Sequence, residues 1–118
     1  MRSRNKFNAK KTEADGHTFD SKAECAYYFR LLDRFKEGEV WDIKLQPKFD
    51  LVVNGEHLTG LTGRKLYYKG DFLYETKEGT VCVDVKGIIL PEFKIKWSLV
   101  KILYPCTEFR IWKNGSYH

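Results

Sequence analysis

The run Val81-Cys82-Val83-Asp84-Val85-Lys86-Gly87 decides the fold. β-Branched residues at every second place predict a strand with Val81, Val83 and Val85 on one face, and period two then gathers Cys82, Asp84 and Lys86 on the other. A strand this apolar belongs in the middle of a sheet. Charged residues that interrupt it are costly to bury unless they have a task. Asp84 and Lys86 are therefore candidate site residues.

Just upstream, Thr76-Lys77-Glu78-Gly79 predicts a turn, and residues 66–74 predict a long strand leading into it. A two-residue Lys77-Glu78 loop would set Asp71 directly opposite Asp84, with Cβ atoms about 5 Å apart. A bulge at Gly79 would instead slip the register by one residue and send the two side chains to opposite faces. Like charges directly opposite each other destabilise a sheet, and a bound divalent cation is the simplest compensation.

Farther out, residues 49–53 predict a strand running into Asn54-Gly55, a hairpin signal, with loop over residues 60–63. Ser21 and Glu24 form a capping box that opens a helix. Ala23, Tyr27, Leu31 and Phe35 recur along it at helical spacing, and Gly38 ends it. Residues 39–45 lead from there to Gln46-Pro47. Downstream, Pro91 starts a second helix with an apolar stripe of Phe93, Trp97, Val100 and Tyr104; Pro105 stops it. Residues 107–112 form a last strand before a short tail from Lys113. The order αβββαβ, with hairpin-linked strands and then a helical crossover, predicts an α+β, sandwich-like fold: a central mixed sheet flanked by helices.

A chain of 118 residues supports one core and one active site. Lys and Arg outnumber Asp and Glu by 21 to 16, a net charge of +5, which favours polyanionic partners. Much of that charge, Arg2, Arg4, Lys6, Lys10 and Lys11, falls in residues 1–15. These residues read as a basic flexible arm, either a plain terminus or a phosphate contact, ahead of a single domain over residues 16–118. Cys25, Cys82 and Cys106 are odd in number and form no CxxC pair, so neither a zinc knuckle nor a disulfide framework is expected. No apolar stretch approaches a membrane span and no secretory signal is evident, so the expected location is the cytoplasm. His17, His57 and His118 lack zinc spacing, and neither a nucleophile motif nor a phosphate-cradling glycine loop occurs.

Phosphodiester cleavage needs an activated water, neutralisation of charge building on the phosphate, and help for the departing oxygen. A carboxylate-held Mg²⁺ supplies much of each. Lys86, beside Asp84, is placed to orient the water or to stabilise the developing charge, and Glu24 is available from the helix to complete the shell. Each residue also has a structural reading. Glu24 is explained by the capping box, Asp71 by a turn after Gly70, and Asp84 with Lys86 by an exposed strand pair.

Asp71 followed by Asp84-Val85-Lys86, after Glu24 on an opening helix and before a final helix and strand, resembles the PD-(D/E)XK nuclease superfamily. More narrowly, Phe7-Asn8-Ala9-Lys10-Lys11, Phe19-Asp20-Ser21-Lys22-Ala23-Glu24, Leu45-Gln46-Pro47-Lys48-Phe49, Gly70-Asp71-Phe72 and Val83-Asp84-Val85-Lys86-Gly87 resemble a family of small phage and prophage proteins. The resemblance implies a restriction-endonuclease-like fold and Mg²⁺-dependent DNA cleavage, with Mn²⁺ able to substitute. Asp71, Asp84, the Val85 carbonyl and Glu24 would be metal ligands, Lys86 the catalytic lysine and Glu24 the helical acid. Gly70 stands where the superfamily name has proline. The phage junction-resolving nucleases share this arrangement, which makes a Holliday-junction or branched-DNA resolvase the first specific expectation, located in the host cytoplasm if phage-encoded. A homodimer would make paired cuts.

Candidate DNA contacts are Lys10 and Lys11 in the arm, Gln46 before Pro47, Lys69 in the Tyr67-Tyr68-Lys69 run, and Lys94 and Lys101 along one side of the second helix. The structural alternatives are a backbone-satisfying Gln46 at a bend, packing for the strand aromatics and a solvated face for the helix lysines. The rival functions are a non-cleaving DNA-binding or protein-interaction module on the same fold, and an RNA nuclease.

Overall fold

A computed structural model describes residues 12–118, which divide into two compact units, one up to Glu39 and the other Val40–His118. The fold is α+β. No helix among the described residues is long and apolar enough to cross a membrane.

The first unit opens with a hairpin of β1 (Thr12–Ala14) and β2 (His17–Phe19), joined by Asp15-Gly16. Both turn residues have positive φ, as a two-residue type I′ turn requires. Thus residues 12–14 of the basic N-terminal stretch are a paired strand; Lys10 and Lys11 lie outside the described residues. The hairpin packs on α1 (Lys22–Lys36): Phe19 and Tyr28 stack at 5.1 Å between ring centroids, and the Tyr28 hydroxyl donates to Asp15 at 2.8 Å. Ser21 caps the helix as its sequence predicts, accepting from the Glu24 N–H at 3.1 Å. Gly38, in the left-handed region, ends it with paired bonds from Gly38 N–H to Phe35 O and from Glu39 N–H to Arg34 O. The buried stripe runs Glu24, Cys25, Tyr27, Tyr28 and Leu31, whereas Ala23 and Phe35 at the ends of the expected stripe are exposed.

The second unit is built on a five-stranded mixed sheet of β3 (Trp41–Leu45), β8 (Phe72–Thr76), β9 (Gly79–Val85), β10 (Thr107–Lys113) and β11 (Ser116–Tyr117), in the order β11-β10-β9-β8-β3. The charged run identified in the sequence is therefore the central strand. β8 and β9 are antiparallel across a two-residue Lys77-Glu78 loop, and β9 and β10 are parallel. The parallel connection needs a crossover, which α2 (Pro91–Leu103) supplies. Two small ribbons complete the unit: β4 (Lys48–Asp50) with β7 (Tyr67–Lys69), and β5 (Val52–Val53) with β6 (Glu56–His57) across Asn54-Gly55.

One face of the sheet, carrying Cys82 and Phe109, forms a core with Leu51, Tyr68 and Val100. Phe93, Trp97 and Tyr104 of the expected α2 stripe pack against it. On the opposite face Phe72, Tyr74, Val81 and Val83 are buried.

Four expectations change. Residues 66–74 are not one strand: the chain leaves the β4–β7 ribbon after Lys69 and enters the central sheet at Phe72. Gly70 is the crossing point, its N–H bonded to Pro47 O while the Asp71 N–H bonds to Val83 O. Residues 49–53 are likewise split, because β4 pairs with β7 and β5 with β6. The order αβββαβ omits β3, the edge strand next to β8, and the tail from Lys113 folds back as β11 through Asn114-Gly115, both at positive φ.

Candidate functional site

Alternation along β9 sets Asp84 on the α2-facing side at the end of the central strand, where its side chain is buried at 1% exposure. Exposure rises along the chain from there, through half-buried Val85 and Lys86 to exposed Gly87, so the strand delivers Asp84 from the core toward solvent. Two donors meet this carboxylate. The Tyr68 hydroxyl donates to Asp84 Oδ2, and Lys86 Nζ lies 3.6 Å from Oδ1. Burial pushes the Asp84 carboxyl up to about 6, with the Lys86 ammonium pulling the other way. Lys86 is held in turn by the face of Phe93 on α2, its Nζ 4.2 Å from the ring centroid.

Asp71 arrives from the other strand of the hairpin. The ladder of Thr76↔Gly79 through Phe72↔Val83 has no slip and Gly79 makes no bulge; it ends one residue short of Asp71, whose N–H bonds to Val83 O. In place of the next backbone bond, Asp71 Oδ2 accepts from the Val85 N–H at 2.7 Å. The Lys86 N–H is taken by Trp112 O on β10, so alternation turns the Val85 N–H and C=O toward the β8 side, where Asp71 sits. The Asp71 charge also helps raise the Cys82 thiol to about 12, mainly a burial effect. The structure thus brings Asp71, Asp84, Val85 and Lys86 together at one end of the β8–β9 hairpin.

Gly70 has a steric cause here. A Cβ at this position would lie 2.5 Å from Cys82 Sγ and 3.4 Å from Pro47 Cγ, and a proline would also lack the N–H that bonds Pro47 O. Glycine is what lets β7 cross over β9 beside the two acids.

The other candidates are distributed. Glu24 belongs to the first unit, buried at the start of α1, with its N–H on the Ser21 cap. Gln46, at φ 55, follows β3 and donates its N–H to Asp71 O at 2.9 Å, placing it against the acidic end of the hairpin. Lys69 is exposed on β7, and Lys94 is exposed on α2. Lys101 lies over the Trp97 ring at 3.7 Å. Tyr68, which the sequence places in a basic aromatic patch or in packing, and Phe93, from the α2 stripe, position Asp84 and Lys86.

The donors at this site are all oxygens, which suits a hard cation. Among the described residues no group of three His, Cys, Asp or Glu side chains stands close enough to hold a metal. Two carboxylates and the Val85 carbonyl would leave further positions to water and substrate oxygens, as Mg²⁺ tolerates.

No curated protein and no solved structure matches the chain. The chain belongs to the family described as "Protein of unknown function (DUF1064)", which matches residues 4–117.

Proposed function

We propose that this protein is a metal-dependent DNA endonuclease with a restriction-endonuclease-like core, acting on branched DNA. The observation that carries the reading is the buried Asp84 at the end of the central strand, paired with Lys86 and set beside Asp71. A carboxylate this buried is costly to keep in a fold unless its charge is used.

Asp71, Asp84 and the Val85 carbonyl would hold Mg²⁺ or Mn²⁺. When bound, the ion lowers the pKa of a coordinated water and neutralises phosphate charge. The protein side chains do the rest. Tyr68 fixes one Asp84 oxygen, so the carboxylate presents a single orientation. Asp71 is anchored by Val85, the residue whose carbonyl completes the set. Lys86, steadied by Phe93, aims a positive donor at the space beside Asp84, where it would orient the attacking water or stabilise the charge developing on the phosphate. The reading stands on these second-unit residues.

The test is cleavage by purified protein with Mg²⁺ or Mn²⁺ on linear duplex, single-stranded, flap and four-way DNA, with RNA of the same sequence alongside. Cutting of branched DNA that disappears in Asp84→Asn and Lys86→Ala is the expected result. Unchanged cutting in Asp84→Asn removes the assignment, and preference for RNA redirects it to an RNA nuclease. No cutting of any substrate leaves the non-cleaving binding module.

A further inference from the structure

The β4–β7 ribbon carries a charge arrangement that the acidic site does not use. Its inner face, Phe49 and Tyr68, packs into the core. Its outer face pairs Lys48 directly with Lys69 and Asp50 with Tyr67. The Gly70 N–H bond to Pro47 O makes the pair beyond it hydrogen-bonded, so Lys48↔Lys69 is of the other kind, with side chains closer and Cα atoms roughly 4.5 Å apart. Like charges in that position are destabilising. Both lysines are exposed, and neither forms an ion pair among the described residues, although Asp50 lies on the same face. Lys48 Nζ instead lies over the Tyr67 ring at 3.9 Å. That ring is buttressed by His57, 4.9 Å away between centroids, whose Nε2 donates to Leu66 O at 2.8 Å.

The ribbon is also coupled to the acids. Successive residues of β7 point to opposite sides, so Tyr68 reaches inward to Asp84 while its neighbour Lys69 points outward. Lys69 is two residues from Asp71, a Cα separation of at most about 7 Å. The outer face of the ribbon therefore adjoins the chain segment that carries Asp71.

We propose that Lys48 and Lys69 form a phosphate-contact site for duplex DNA, gripping the backbone beside the phosphate to be cut. The proposal rests on the nuclease reading and adds to it the surface along which the substrate runs. Because lysine meets phosphate as a point charge, the site contributes affinity and register without reading sequence. The repulsion between the two ammonium groups, uncompensated in the free protein, is relieved when the polyanion binds.

The experiment is fluorescence anisotropy of a short labelled DNA duplex in metal-free buffer, titrated at several salt concentrations between roughly 50 and 200 mM. Wild-type protein is compared with Lys48→Gln, Lys69→Gln, the double variant and Lys77→Gln, a control at the exposed β8–β9 turn. We expect the slope of log K against log salt to fall by roughly 1 for each single change and roughly 2 for the double, with Lys77→Gln unchanged. Wild-type binding with an unaltered slope in the double variant overturns this site alone, as does an equal loss in Lys77→Gln. Failure of wild-type protein to bind the duplex overturns this site, while the nuclease reading is decided separately by the cleavage assay on branched DNA.

Discussion

Two like-charge pairs lie a few residues apart, at the acidic end of the β8–β9 hairpin and on the β4–β7 ribbon, and the fold treats them oppositely. Asp84 is buried and supplied with built-in donors, and Asp71 is tied to a backbone N–H. Lys48 and Lys69 face water, with Lys48 over the Tyr67 ring and neither in an ion pair among the described residues. The difference follows from solvation. A buried charge must find its partners within the protein because desolvation costs several kcal/mol per ion, whereas an exposed charge is screened and can wait for a ligand.

The comparison breaks first at Lys86. If its ammonium acts on the reacting phosphate, Lys86→Ala should lower cleavage by about 10²- to 10³-fold at a temperature where melting shows the variant still folded. Equal cleavage would make it a counter-ion for Asp84 and no more.

The next largest effect is on pH. In the unfolded chain Asp84 ionises at its ordinary value of 3.8, and in the folded protein at about 6. The folded state therefore binds more protons across that window, and stability falls as pH rises from 3.8 through 6. The penalty is fully present above 6. It amounts to about 3 kcal/mol, because each tenfold change in proton affinity between the two states is worth about 1.4 kcal/mol. Asp84→Asn lacks this titration. In metal-free denaturant melts its stability should gain on wild type by about 3 kcal/mol between about pH 3 and pH 7, and a constant gap would mean that Asp84 is effectively solvated.

Gly70 is the hinge between the two regions. Gly70→Ala should cost about 1–3 kcal/mol in urea denaturation, because its Cβ meets Cys82 Sγ at 2.5 Å in a packed core. Adding Cys82→Ala should return part of the loss, and no recovery would shift the cause to Pro47. The smallest effect belongs to the exposed pair. Lys69→Glu, which turns a repulsive cross-strand pair with Lys48 into an attractive one, should stabilise by about 0.2–1 kcal/mol at low salt. A destabilisation in the same melt would show that the two ammonium groups are not in each other's field.

Much of this was legible in the primary structure. The α1 cap at Ser21, the α2 stripe and the period-two face of Cys82, Asp84 and Lys86 all come from local spacing, and the Lys77-Glu78 loop gives the register of the hairpin from Thr76↔Gly79 to Phe72↔Val83. Two further hairpins carried their signal openly, as Asp15-Gly16 and Asn114-Gly115, of the same Asx-Gly type as Asn54-Gly55. Other features had no local signal. Residues 66–74 read as one strand despite Gly70-Asp71, and the closeness of Cys82 to Gly70 shows why the strand divides there.

Sequence alone determined the central strand, its two faces and the hairpin register, because turn length and side-chain alternation act over a few residues. Tertiary structure decided that Tyr68 and Phe93 hold the acid and the lysine, that Gln46 abuts Asp71, and that Lys48 lies opposite Lys69. These are pairings between segments distant in the chain, and they exist only once the ribbon and α2 pack on the same face of the sheet.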